Sequence, residues 1–162
     1  MSIDEYLDSE DFLLFKDKTL YVYACEAVDE FLKNNDPVKN SQLHSIQTII
    51  QAAALKGLDH LSENQIKKNT HEENKSFWNF VRGLLFEVTA GEPPSYSLRF
   101  KVESELTKKN FLLDEGSPEK IEQRKARRSN KDAVNRVMDK ALSVYFEHFN
   151  CHYFYRIKQG GV

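Results

Sequence analysis

The sequence predicts an all-α fold, a single compact helical bundle of about six to eight helices spanning residues 1–162. Three observations point there. Apolar residues recur every three or four positions through most of the chain, helix-capping signatures precede several of these stripes, and only one stretch alternates with the two-residue period of a strand.

Ser2 stands three residues before Glu5, the spacing of a capping box that opens a short acidic helix through about Phe15. Leu20, Ala24, Ala27, Val28, Phe31 and Leu32 then form the stripe of a second helix, which Asn34-Asn35-Asp36-Pro37 breaks. Ser41 is the expected cap of a third, with Leu43, Ile46, Ile50, Ala53 and Ala54 on one face and Gly57 as its left-handed C-terminal residue. Ser62 and Gln65 suggest a further short helix between Leu58 and Lys68. Thr70 and Glu73 announce a stronger one, in which Phe77, Phe80, Val81, Leu84, Leu85 and Val88 step by three and four until Gly91-Glu92-Pro93-Pro94 ends it.

Tyr96, Leu98, Phe100 and Val102 alternate with polar residues as a half-buried strand does, yet Leu98, Val102 and Leu106 also fit a helix. A lone strand leaves its backbone groups unbonded, so a helix is expected. Asp114-Glu115-Gly116-Ser117-Pro118 reads as a loop, with Ser117 as N-cap and Pro118 at the first helical position. The longest helical pattern follows, lined by Val134, Val137, Met138, Ala141, Leu142, Tyr145 and Phe149, with Asn130 marking a bend or a fresh cap.

Composition agrees with one ordinary domain. Of 162 residues 40% are apolar and 30% charged, and a chain this long buries roughly two-thirds of its unfolded surface without disulfide or metal staples. Six glycines, four prolines and an ample aliphatic content exclude general disorder. No apolar run approaches the roughly 20 residues needed to cross a bilayer, and Met1 to Asp11 is acidic where a secretion signal is basic, so a cytoplasmic location is expected. Cys25 and Cys151 form no spaced framework and are expected as free thiols. Repeats and low-complexity tracts are absent.

The near-neutral total hides an uneven charge layout. Residues 1–40 carry ten acids against four bases, whereas Arg124, Lys125, Arg127, Arg128 and Lys131 place five cations in eight residues without an acid. Such a cluster either holds phosphates or is an ordinary solvated helix face. Catalytic signatures are missing: there is no Gly-rich phosphate loop, and His71-Glu72 lacks the second histidine of a zincin helix. His148, Cys151 and His152 are the sharpest arrangement that could converge on zinc, with Cys25, His44 or His60 as a fourth ligand, but no second spaced pair supports it. No metal and no cofactor is expected. Tyr145, Phe146, Phe149, Tyr153, Phe154 and Tyr155 exceed what one helix face needs, so part of this set is expected to pack inside and the surplus to meet a partner.

The C-terminal segment, Tyr145-Phe146-Glu147 followed by His152-Tyr153, Tyr155 and Gly160-Gly161, resembles the small helical subunit of type III CRISPR effector complexes. Looser likenesses are the apolar helix broken at Ala90-Gly91 and the Ile49 to Leu61 stretch around Gly57-Leu58. The resemblance implies a bundle without catalytic residues, stacked along a ribonucleoprotein filament against neighbouring subunits and the RNA backbone. The acidic N-terminal quarter departs from the basic character usual there. The expectation is therefore a non-catalytic subunit of a nucleoprotein complex in antiviral defence, with Arg124, Lys125, Arg127, Arg128 and Lys131 on single-stranded RNA and Phe149, Tyr153 and Tyr155 on other protein subunits. A protein-binding adaptor or regulator that docks through the aromatic helix is the alternative, and both readings imply no membrane partner.

Overall fold

Residues 1–86 and 93–160 are described by the computed structural model. Helices and connecting turns account for all of them, with no strand among the described residues. The order is α1 (Ile3–Leu7), α2 (Glu10–Leu14), a π-helical turn (Phe15–Thr19), α3 (Leu20–Asn34), α4 (Asn40–Lys68), α5 (Glu72–Leu85), α6 (Leu98–Lys108) and α7 (Lys120–Gly160). At 1.5 Å per residue, α7 is about 60 Å long and forms the spine. α3, α4 and α6 all pack on it, and α5 covers α4.

The capping box at Ser2 is present: its Oγ accepts from Glu5 N at 3.1 Å and donates to the Glu5 carboxylate. The first helix is nevertheless two. Ser9 Oγ donates to the Tyr6 carbonyl at 2.6 Å and accepts from Phe12 N, so one hydroxyl closes α1 and opens α2. The residue pair 34–35 and Pro37 end the second helix as expected, and of residues 96–103 all from Leu98 onward are helical: Ser97 caps α6 through Phe100 N at 3.1 Å.

α4 differs from its expected form in three ways. It begins at Asn40 on Lys39, which makes no side-chain cap, so Ser41 lies inside it. It runs through Gly57, which is helical and buried and does not terminate anything. Its discontinuity falls at Ala54, with φ 50° and ψ −139°, and this kink joins what had read as two separate helices. The reason lies in packing. A Cβ at Gly57 would sit 2.7 Å from Ala53 Cβ and 2.8 Å from Ile49 Cγ1, so glycine supplies close approach across the kink and the unusual backbone angles fall on alanine. The restart is capped from outside, since Leu55 N donates to Asp139 Oδ1 on α7 at 3.1 Å.

Other starts shift slightly. His71, without a side-chain cap, precedes α5 in place of Thr70, and α7 begins at Lys120, after Ser117 Oγ accepts from Glu119 N at 3.3 Å. Asn130 neither bends nor caps α7; it is buried in mid-helix. Val88, the Ala90-Gly91 likeness and the Gly91-Glu92 half of the break after α5 lie outside the described residues, as does Gly161 of the terminal pair.

One continuous core joins these elements. Trp78, Phe77, Phe31, Tyr6, Phe12, Tyr145, Phe146, Phe149 and Tyr153 are its largest fully buried members among the described residues. Trp78 Nε1, the polar edge of the largest ring, donates to Gln42 Oε1 at 2.5 Å.

Ala54 occupies the mirror image of extended backbone, which costs an L-residue about 1–3 kcal/mol and glycine little. Ala54→Gly is therefore expected to raise unfolding free energy by about 1 kcal/mol in urea titrations, and Gly57→Ala to lower it by about 1–3 kcal/mol. Destabilisation by Ala54→Gly would contradict this account of the kink.

Candidate nucleic-acid interface

The first three turns of α7 carry the basic cluster, and the helix seats itself there with two residues. Ala126 and Asn130 are buried, while Arg124, Lys125, Arg127, Arg128 and Lys131 are exposed. Asn130 accepts from Leu113 N at 2.7 Å and donates to Leu113 O at 2.9 Å and to the Glu115 carboxylate at 2.8 Å, pinning the loop before α7 against the helix. With that edge anchored, spacings of three and four put Arg124, Arg127, Arg128 and Lys131 on one outward face. Lys125 is turned aside into a shallow hollow with Asp114 and Glu122.

Arg127 is partly neutralised by Glu115, Nε to Oε1 at 3.5 Å. Arg124, Lys125, Arg128 and Lys131 make no ion pair among the described residues. The acidic N-terminal quarter does not reach them. Its acids hold other parts of the molecule: Asp4 pairs with Arg136, Asp11 with Lys109 at 2.9 Å, and Asp29 with both His152 and Arg156. The hydrogen bond to Asp11, with the charges of Asp11 and Glu105, raises the Lys109 pKa against a smaller opposing effect of desolvation.

Beside the cationic face lie two grooves that share a wall. One, of about 540 Å³, is lined by Arg99, Glu103, Leu112, Arg127, Arg128 and Lys131 among others. The second, of about 530 Å³, has Lys56, Arg82, Phe86, Arg99, Lys131 and Asn135 on its walls, together with Asp59 and Asp139. Arg99 is only 4% exposed. Its Nε donates to the Leu85 carbonyl at the end of α5 at 2.6 Å, its Nη2 to Asn135 Oδ1 at 2.8 Å, and Glu103 lies 3.9 Å away. Sequence reasoning missed this residue because it appeared as one polar member of the alternating stretch 96–103. A lone arginine at the second position of an amphipathic helix carries no signal of burial.

The aromatic end of α7 divides differently from the expected partner surface. Phe149 and Tyr153 are fully buried, so as folded they meet no partner. Tyr153 Oη accepts from Val38 N at 2.6 Å and donates to Val38 O at 2.9 Å, tying down the α3–α4 connection. Tyr155 is 54% exposed and Phe154 42%, and these two carry what surface the aromatic segment offers. The helical stripe that enters the core runs through 142, 145, 146, 149 and 153, and 154 and 155 fall off it.

His148, Cys151 and His152 do not converge. His148 Nε2 lies 3.2 Å from the Lys16 carbonyl, His152 Nε2 lies 2.8 Å from Asp29 Oδ1, and Cys151 is exposed. Among the described residues no group of three His, Cys, Asp or Glu is placed to hold a metal ion. Both cysteines are free, and burial pushes the Cys25 thiol up. No helix among the described residues is long and apolar enough to cross a membrane.

Comparison of the chain with protein families, curated proteins and solved structures finds no match.

Burial raises the pKa of Tyr153 to about 12, against a smaller lowering by its bond to Val38, and desolvation raises Tyr6 and Tyr145 as well. A raised phenol favours the fold in its neutral form, so this stabilisation is complete below pH 10 and declines as pH rises toward 12. Tyr153→Phe, which leaves Val38 N buried without an acceptor, is expected to cost about 1–3 kcal/mol at pH 7. Chemical unfolding at stepped pH should show a shallower alkaline decline for the variant than for the parent, and equal slopes would contradict this role for Tyr153.

Proposed function

We propose that the chain is a non-catalytic helical subunit of a nucleoprotein assembly that holds the phosphate backbone of single-stranded RNA on the α7 face formed by Arg124, Arg127, Arg128 and Lys131. The observation that carries this reading is a set of closely spaced exposed cations, three of the four without an acidic partner among the described residues, although acids are abundant elsewhere in the chain. A cation left unneutralised on a rigid helix is ready to displace condensed counterions from phosphates, and it does so without reading sequence. Arg127 contributes less because Glu115 shares it, and Lys125 sits to one side.

The likeness to the small subunit of type III CRISPR effector complexes names the kind of assembly, in which neighbouring subunits would lie on either side of an RNA filament. Tyr155 and Phe154 are the residues suited to such a neighbour, because exposed rings with partial apolar support gain most on being covered. The same two rings support the second reading, an adaptor that docks a partner through the end of α7 without nucleic acid.

The two readings part in one purification. Under the first, the natively expressed protein carries RNA, and its affinity for a single strand falls with salt at a log–log slope of about 0.7 per phosphate contact. Charge reversal of Arg124, Arg128 and Lys131 to Glu is expected to flatten that slope by about 2. RNA binding that is absent, or indifferent to salt, in both the isolated chain and its complex would remove the first reading. A stoichiometric protein partner lost on truncating Phe154 and Tyr155 to Ala, with no RNA present, would establish the second.

A further inference from the structure

The α7 cations are not the end of the basic surface. Lys131 and Arg99 stand on the wall common to the two grooves, so a strand lying on the α7 face and passing Lys131 enters the second groove directly. That groove holds what the first lacks, an aromatic ring. Phe86, half-buried at the end of α5, lines it with Lys56 and Arg82. The Arg82 guanidinium lies 4.7 Å from the centre of the Phe86 ring. Its Nη1 is held in turn by Asp59 Oδ1 at 2.8 Å, Ser62 Oγ at 2.8 Å and the Asp59 carbonyl at 3.1 Å. Phe86 N is bonded to the Arg82 carbonyl at 2.9 Å. Ring and cation therefore form a preset stack on the groove wall.

Resting on the phosphate-binding reading above, we propose that the second groove takes one unpaired nucleobase of the bound strand, stacked on Phe86, with the flanking phosphates on Lys131 and Lys56. The main chain at Phe86 is held by its bond to Arg82, and the ring is backed by a cation that three bonds hold in place, so less ordering is left to do when a base arrives. Lys56 and Lys131 are exposed and make no ion pair among the described residues, Arg82 is compensated by Asp59, and the Asp139 carboxylate on the same wall accepts from Leu55 N; the groove thus sets two cations outside ion pairs, and one carboxylate, around one ring. A volume of about 530 Å³ lies within the range of small-ligand clefts, about 300–1,000 Å³. The partner is single-stranded, since a paired base has both faces covered and cannot reach a ring inside a groove, while an unpaired one stacks whatever its identity. The Ala54 kink has a part in this: it turns the start of the second half of α4, where Lys56 sits, onto the groove wall beside Asp139.

Titration of the full chain with a 12-nucleotide single strand carrying 2-aminopurine at one position tests the proposal, compared with a duplex and with an abasic strand of the same length. Quenching of 2-aminopurine on binding is expected at one or more positions. Phe86→Ala should lose about 10-fold in affinity for the single strand with an unchanged salt slope, Phe86→Tyr should keep parental affinity, and neither should alter binding to the abasic strand. Lys56→Glu should lower the salt slope by about 0.7 or more. Absence of quenching at every position, or parental affinity in Phe86→Ala while Arg128→Glu still weakens binding, would overturn the base site and leave the phosphate reading standing. If Arg128→Glu too has no effect, or if the chain binds no strand, the phosphate reading falls and the base site with it. Circular dichroism of each variant separates lost contact from lost fold, and the quenching test on the parent chain needs no variant.

Discussion

Wherever a chain leaves a helix inside a protein, it exposes backbone groups that need a bonding partner, and at five places in this molecule that partner is supplied from α7. Asp139 accepts from Leu55 N at the kink of α4, and Tyr153 bonds both backbone groups of Val38 between α3 and α4. Tyr145 donates to the Tyr96 carbonyl just before α6, and Asn130 bonds both groups of Leu113 in the loop before α7 itself. The end of α5 is reached through one intermediary, since Asn135 holds Arg99 and Arg99 donates to the Leu85 carbonyl. Five interruptions in the path are thus registered against a single straight helix, and the surrounding shorter elements take their places from it.

That arrangement explains why the basic cluster can stay uncommitted. The face of α7 that turns inward carries the polar anchors as well as the apolar stripe, so on the outward face at its N-terminal end only Arg127 is drawn into an ion pair, with Glu115. The acids of the N-terminal quarter are engaged elsewhere. Asp4, Asp11 and Asp29 draw the front of the chain onto Arg136, Lys109 and the His152–Arg156 turn, none of them a member of the Arg124 to Lys131 cluster. Exposed pairs of this kind contribute little to stability, and they leave these acids without a partner in the cationic cluster.

How far the site was legible depends on which residue is considered. The run of five cations was visible because charge needs no geometry to be recognised, and its placement on the surface follows from the cost of burying a charge. Its division was not visible: that Glu115 would share Arg127 depended on where Asn130 fastened the preceding loop. Arg99 and Phe86 were silent in the chain. One was a polar member of the alternating stretch 96–103 and the other had no place in the α5 stripe, and their importance arises only where α4, α5, α6 and α7 meet. Among the aromatics, Phe149 and Tyr153 belonged to the core by the same three-and-four spacing that identified the helix, while their neighbours Phe154 and Tyr155 were left outside it.

The amino-acid sequence by itself determined the helical class, the stripes that enter the core, the breaks at Pro37 and the loop before α7, and the local cap at Ser2, because spacing along a helix and side-chain bonds to nearby backbone are short-range properties. Helix was also preferred to strand at 96–103 on a local argument, that one strand alone cannot satisfy its own backbone. Tertiary structure alone decided that Gly57 stays inside a helix and Ala54 breaks it, that Asn130 is an anchor and no hinge, and that an arginine is buried beneath two grooves. In each of these the deciding partner is tens of residues away or is packed across a neighbouring turn, and a backbone angle or a buried charge is tolerated only where such a partner supplies more free energy than the local preference opposes.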